Sequence, residues 1–108
     1  MERVTRGEVR WCRFDPPNKP RPALILTREG LIPKLNKLII AEITSTIRGV
    51  ASEVLLTEGD GMPARSVINL HHVHSVDKTQ IGHLITVVRS EKLLQVRAAM
   101  LFAAGFEP

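Results

Sequence analysis

Apolar residues in this chain come in short runs, and most of the segments between them carry glycine or proline. That pattern constrains the fold more than any other feature. A strand needs only about four to eight residues, whereas a helix needs ten or more. Residues 8–14, EVRWCRF, alternate: Val9 and Trp11 fall on one face, Arg10, Cys12 and Phe14 on the other, and neither face is cleanly polar. They follow a short lead-in, residues 1–7, that ends at Gly7. Asp15-Pro16-Pro17-Asn18 is a turn signal. PALILT (22–27) reads as a strand led by Pro22, the position at which a strand best tolerates proline. Residues 28–36, with Gly30 and Pro33, read as a loop, and LIIAEITS (38–45) as another β-rich run. Gly49 marks a turn before SEVLL (52–56), and EGDGMPAR (58–65) is a loop. SVIN, HHVHSV and, after Gly82, ITVV lean towards strand.

Only the end of the chain carries a helical period. From Ser90 to Gly105, Leu93, Val96, Met100, Leu101 and Ala104 recur at helical spacing. Ser90 is the expected N-cap, Glu91 suits the first turn, and Gly105 is a good stop. Several short antiparallel strands followed by one amphipathic helix predict an α+β fold built on a small barrel or strongly curved sheet. No repeat, linker or low-complexity segment divides the 108 residues, so one domain spanning 1–108 is expected.

Composition narrows the chemistry. Aromatics are 4% of the chain, Trp11 and three phenylalanines, which argues against a nucleic-acid platform of several stacked aromatics. The net charge of +4 favours an anionic partner. Cys12 is the only cysteine, so neither an internal disulfide nor a cysteine zinc cage is expected. The opening MERVTRGEVRW has no apolar run of the signal-peptide kind, and no window resembles a membrane span. The expected location is the cytoplasm, away from membranes.

Three constellations stand out. Arg21 lies between Pro20 and Pro22, and proline stiffens both its own backbone and that of the residue before it. A guanidinium presented this way is either a loop cation, paired for instance with Asp15, or an anion clamp, because its fork fits phosphate in a bidentate manner. Thr44, Ser45 and Thr46 close an apolar run. They are either turn and edge residues or hydroxyl donors for a phosphate. On a regular strand His72 and His74 share one face and His71 takes the other, which leaves wet-face, acid–base and metal-pair readings open. Phosphate loops, HExxH and the nucleophile elbow are absent.

The order of these motifs resembles one family. RGEVRW, then PRPALILT, then IIAEITS, then SVINLHHVHSVDK, then a terminal helix ending AAGF look like the MazF/PemK toxins of bacterial toxin–antitoxin pairs, over roughly residues 6–105. The resemblance implies an SH3-like antiparallel barrel with a C-terminal helix. It also implies a homodimer and a metal-independent, sequence-specific endoribonuclease that cuts single-stranded RNA without a cofactor. A cognate, acidic MazE-like antitoxin would wrap the dimer, and a basic RNA groove suits such a partner electrostatically. The family's catalytic arginine corresponds to Arg21 and its threonine to Thr44. Lys19, Ser45, Thr46, Arg48, His72 and His74 are the expected RNA contacts, and no metal site is expected.

Two departures from the family pattern are visible. Asp15–Pro20 is shorter than the serine-containing loop many relatives carry before the Arg-Pro motif. Where relatives often show Glu-Gln-Ile-Arg-Thr-Leu, this chain has His71-His72-Val73-His74-Ser75-Val76. Two alternatives come from other classes. One is a CcdB-like gyrase inhibitor, which relies on a terminal Trp-Gly-Ile where this chain ends Gly105-Phe106-Glu107-Pro108. The other is a non-catalytic SH3-like binding module, which has no need of a stiffened Arg21.

Overall fold

The computed structural model describes residues 3–106. Met1 and Glu2 of the lead-in, and Glu107 and Pro108 of the tail, lie outside the described residues. Six strands form one antiparallel sheet: β1 (Glu8–Cys12), β2 (Arg21–Ile25), β3 (Lys37–Thr44), β4 (Glu53–Leu56), β5 (Ser66–Asp77) and β6 (Ile81–Val87). The order across the sheet is β4-β5-β3-β2-β1-β6, and helix α1 (Ser90–Ala103) follows. The ladder does not close into a continuous barrel. Its two edges are linked instead by the 3₁₀ turn Glu58–Asp60 after β4, where the Thr86 hydroxyl on β6 donates to the Asp60 carbonyl at 2.9 Å.

Each face of the sheet is buried over only part of its length, and the two buried parts are offset along the strands. Val9, Leu24, Ala41, Ile43, Ile68 and Leu70 join Val96 and Ala99 of α1 in one core. Cys12, Ala23, Ile25, Leu38, Ile40, Val76 and Ile81 form a second core with Ile32 and Val4. Alternation therefore holds along β3: Leu38 and Ile40 enter one core, Ala41 and Ile43 the other, while Ile39 stays exposed. This is why neither face of β1 looks polar in sequence.

Several local expectations change. SVIN and HHVHSV are one twelve-residue strand, bent by a bulge. Ala41 pairs with Val73 but the next residue, Glu42, pairs with Asn69, so Leu70, His71 and His72 are extra on β5. The predicted loop 28–36 contains a 3₁₀ helix, Glu29–Lys34, whose Ile32 fills the second core. Ser90 is not the N-cap. Arg89 holds that position in extended backbone with no side-chain cap, and Ser90 is the first helical residue. The stop at Gly105 is a Schellman motif: Phe106 N–H donates to Leu101 C=O at 2.8 Å and Gly105 N–H to Phe102 C=O at 3.1 Å, with Gly105 at φ +80°. Leu93, Val96 and Met100 pack on the core as predicted, but Ala104 is exposed, and Ala99 is buried in the helix face instead.

The RGE of the opening motif acts locally. Gly7 takes φ +89°, receives Val88 N–H at its carbonyl and donates its own N–H to Ile25 C=O, tying β2 to the entry of α1. Glu8 is buried against Arg10, carboxylate to guanidinium Nε 2.8 Å. No described helix is long and apolar enough to cross a membrane.

Candidate active site

Arg21 opens β2 rather than preceding it, paired across the ladder with Cys12. The ladder and the flanking prolines thus hold its backbone together. Ala23 pairs with Glu42 on β3, and continuing that register sets Arg21 opposite Thr44 at the end of the same strand. Side chains of paired residues share a face, so both project from one end of the sheet. Arg21, Thr44, Ser45 and Thr46 line one open groove of about 550 Å³. Trp11, Ile43 and the segment Met62–Ser66 complete its walls.

Hydrogen bonding orients this groove. The Thr44 oxygen accepts the Thr46 backbone N–H at 3.2 Å, which leaves its own proton to donate outward. Arg21 is half-exposed, and one terminal nitrogen, Nη1, lies 3.5 Å from Glu42 Oε1. A guanidinium has five N–H donors, so the remaining ones can reach an anion. The other oxygen of Glu42 lies 2.8 Å from His74 Nε2. Burial, together with the charge of Glu42, pushes the Cys12 thiol up to about 11.

The other expected RNA contacts are dispersed. Lys19 is exposed but is not among the groove-lining residues. Arg48 lies in a loop drawn tight by Glu53, whose carboxylate accepts the backbone N–H groups of Arg48, Gly49 and Val50. His72 and His74 have different neighbours, contrary to the regular-strand expectation, because the bulge intervenes. His72 stacks edge-on against His71, ring centroids 5.6 Å apart, and His71 Nδ1 meets the Ser52 hydroxyl at 2.6 Å. His74 instead joins Glu42 and contacts the Phe14 ring at 5.8 Å. Asp15, considered as a partner for Arg21, is replaced in that role by Glu42. Among the described residues no three histidine, cysteine or carboxylate side chains cluster at metal-binding range.

Sequence reasoning missed Glu42, Trp11 and the Met62–Ser66 wall. A signal existed for Glu42, the lone carboxylate in the apolar run LIIAEI. Trp11 gave a weaker one, an aromatic on a strand with no clean polar face. The 62–65 loop gave none, since only the fold brings it across from Arg21.

The curved antiparallel sheet with one terminal helix is the architecture of the MazF-type toxins. The solved Mycobacterium tuberculosis toxin MazF-mt6 superposes with a TM-score of 0.84 at 28% identity, covering 91% of this chain and 96% of that one. The pattern of the PemK-like, MazF-like toxins of type II toxin–antitoxin systems matches residues 5–102, and the chain belongs to that family. The probable endoribonuclease MazF5 of Mycobacterium tuberculosis is 47% identical over 72 residues, 66% of this chain; the chain spans 65% of that relative's length. The probable endoribonuclease MazF2 of the same organism is 30% identical over 103 residues, 94% of this chain and 99% of the relative.

Proposed function

We propose that this chain is the toxin of a toxin–antitoxin pair and that it cuts single-stranded RNA at a short sequence motif. The observation that supports this most is the groove at the ends of β2 and β3, lined by a backbone-stiffened arginine and by a threonine whose oxygen accepts a backbone N–H and whose own O–H can still donate. Family membership and relatives bearing the name endoribonuclease point the same way.

The chemistry follows from what RNA supplies. The ribose 2′-hydroxyl attacks the adjacent phosphorus and the 5′-oxygen leaves, giving a 2′,3′-cyclic phosphate and a 5′-hydroxyl. The phosphorane between them gains negative charge. Arg21 stabilises that charge electrostatically, a type of contribution worth about 10²–10³ in rate for a single donor. Thr44 donates a directional hydrogen bond to a phosphate oxygen. Ser45 and Thr46 extend the donor rim along the strand. Lys19 and Arg48 add attraction for flanking phosphates, and His72 contacts RNA beyond the groove.

The protein acts as a homodimer in the cytoplasm. Its antitoxin is a separately encoded, MazE-like chain with an acidic segment that occupies the basic groove. Incubating the purified protein with labelled single-stranded RNA in EDTA tests the reading. The expected products carry cyclic phosphate and 5′-hydroxyl ends, and Arg21→Ala should lose at least about 10²-fold in rate. Intact RNA with the wild type, or equal cutting by Arg21→Ala, refutes it.

A further inference from the structure

Glu42 is the only carboxylate in β3, and its side chain is 19% exposed. A carboxylate so far out of water needs partners, and it has two from different strands. Oε1 faces Arg21 of β2 at 3.5 Å, and Oε2 faces His74 of β5 at 2.8 Å. From β1 the same face presents Cys12, whose thiol stays protonated, and Arg10, which Glu8 engages. The Phe14 ring packs against the imidazole from the side, tilted by 42°. Glu42 and His74 are not among the groove-lining residues, but one carboxylate links Arg21, which is, to the imidazole. The bulge in β5 makes this possible, because it re-aims the strand after His72 and leaves His74 opposite Ile40, diagonal to Glu42.

The hydrogen-bond directions define the imidazole's state. An ionised carboxylate can only accept, so Nε2 of His74 carries its proton towards Glu42. In the neutral ring Nδ1 is then the unprotonated nitrogen, and the carboxylate is set to stabilise the imidazolium formed when Nδ1 takes a proton. Arg21 is held by the same carboxylate through one nitrogen only.

We propose that Glu42 is a positioning residue that aligns Arg21 and His74 as one unit, and that His74 is the base for the attacking 2′-hydroxyl. This rests on the ribonuclease reading above and gives it the proton acceptor that Arg21 and Thr44 do not supply. As the 2′-oxygen bonds to phosphorus, its proton passes to Nδ1 of His74. The bond from phosphorus to the 5′-oxygen breaks, and that oxygen takes a proton from water. The imidazolium then returns its proton to solvent.

The test measures cleavage of a 5′-labelled single-stranded RNA of mixed sequence in EDTA, across a pH series, by wild type, Arg21→Ala, His74→Ala, Glu42→Gln and Glu42→Asp. The wild-type rate should fall in acid as the base is protonated. His74→Ala should cut about 10²-fold more slowly near neutral pH and lose that acid limb. Glu42→Gln should slow cleavage about 10-fold and move the limb, and Glu42→Asp should restore part of the rate. Wild-type rates and an unchanged profile in both His74→Ala and Glu42→Gln overturn the inference while leaving the ribonuclease reading intact, provided Arg21→Ala is inactive. Slower cutting with an unmoved profile also overturns it, because a structural role would do that. No cleavage by the wild type, or full cleavage by Arg21→Ala, removes the underlying reading and the inference with it. If Glu42→Gln fails to fold, His74→Ala decides, since that side chain is 40% exposed.

Discussion

Replacing Glu8 with alanine should be among the most damaging single changes outside the groove. The Glu8 and Arg10 side chains are 9% and 4% exposed and meet at 2.8 Å. The same carboxylate oxygen accepts the Thr5 backbone N–H at 2.9 Å. Removing it breaks a buried ion pair, a change that typically costs about 3–5 kcal/mol. Arg10 keeps the carbonyls of Gly82 at 3.0 Å and Arg3 at 3.4 Å, so the lower end, about 3 kcal/mol, is expected. Against a total stability of about 5–15 kcal/mol that is a large fraction, and it should lower Tm by at least roughly 10 °C. Urea unfolding followed by the fluorescence of Trp11 measures it, with an unchanged denaturant slope showing that only stability moved. The double variant Glu8→Leu/Arg10→Met should recover most of the loss, since replacing both members of a buried pair by apolar groups is often neutral. A single-variant cost below about 1 kcal/mol, or a double variant as unstable as the single, would refute the argument. The pH dependence has a definite sign. Burial pushes the Glu8 carboxyl up, but the Arg10 and Thr5 hydrogen bonds outweigh it and hold it below its ordinary value. Its contribution is therefore complete above the ordinary carboxylate value and disappears as pH falls through the lowered one. The gap between wild type and Glu8→Ala should narrow in acid.

Three further outcomes are expected. Trp11, the only tryptophan, is 41% exposed on the groove wall. A 2′-O-methyl single-stranded RNA, which lacks the nucleophile, should change its emission, and Trp11→Ala should weaken binding by about 1–3 kcal/mol if a base stacks there; no change at saturation would exclude Trp11 from the contact. Cys12 should resist iodoacetamide at pH 8 in the native state and react fully in guanidinium, read by mass spectrometry, because burial and Glu42 raise its thiol to about 11. Gly61 sits at φ +90° and a Cβ there would overlap the Thr86 hydroxyl, so Gly61→Ala should cost roughly 2 kcal/mol in urea unfolding, from backbone strain and the lost Thr86–Asp60 hydrogen bond.

Local physics was sufficient for most of the architecture. Proline and glycine marked the turns, the two-residue period marked the strands, and the terminal helix with its Gly105 stop followed from spacing. Those signals act over a few residues, so one chain in isolation carries them. Arg21 and Thr44 were legible for the same reason: two prolines and a strand end are local features, and the family resemblance gave their order a meaning. Short-range signals thus specified the kind of fold and singled out the two residues proposed for the centre of the site. Tertiary structure alone decided their company. Three extra residues in β5 become a bulge only when β3 is paired alongside, and that bulge sends His72 to His71 and His74 to Glu42. Glu42 looked like a lone charge in an apolar run, and it bridges Arg21 and His74 because three strands distant in sequence present them to one face. Pairings across such separations depend on which register buries the most apolar surface in two offset cores, a property of the whole sheet rather than of any short stretch.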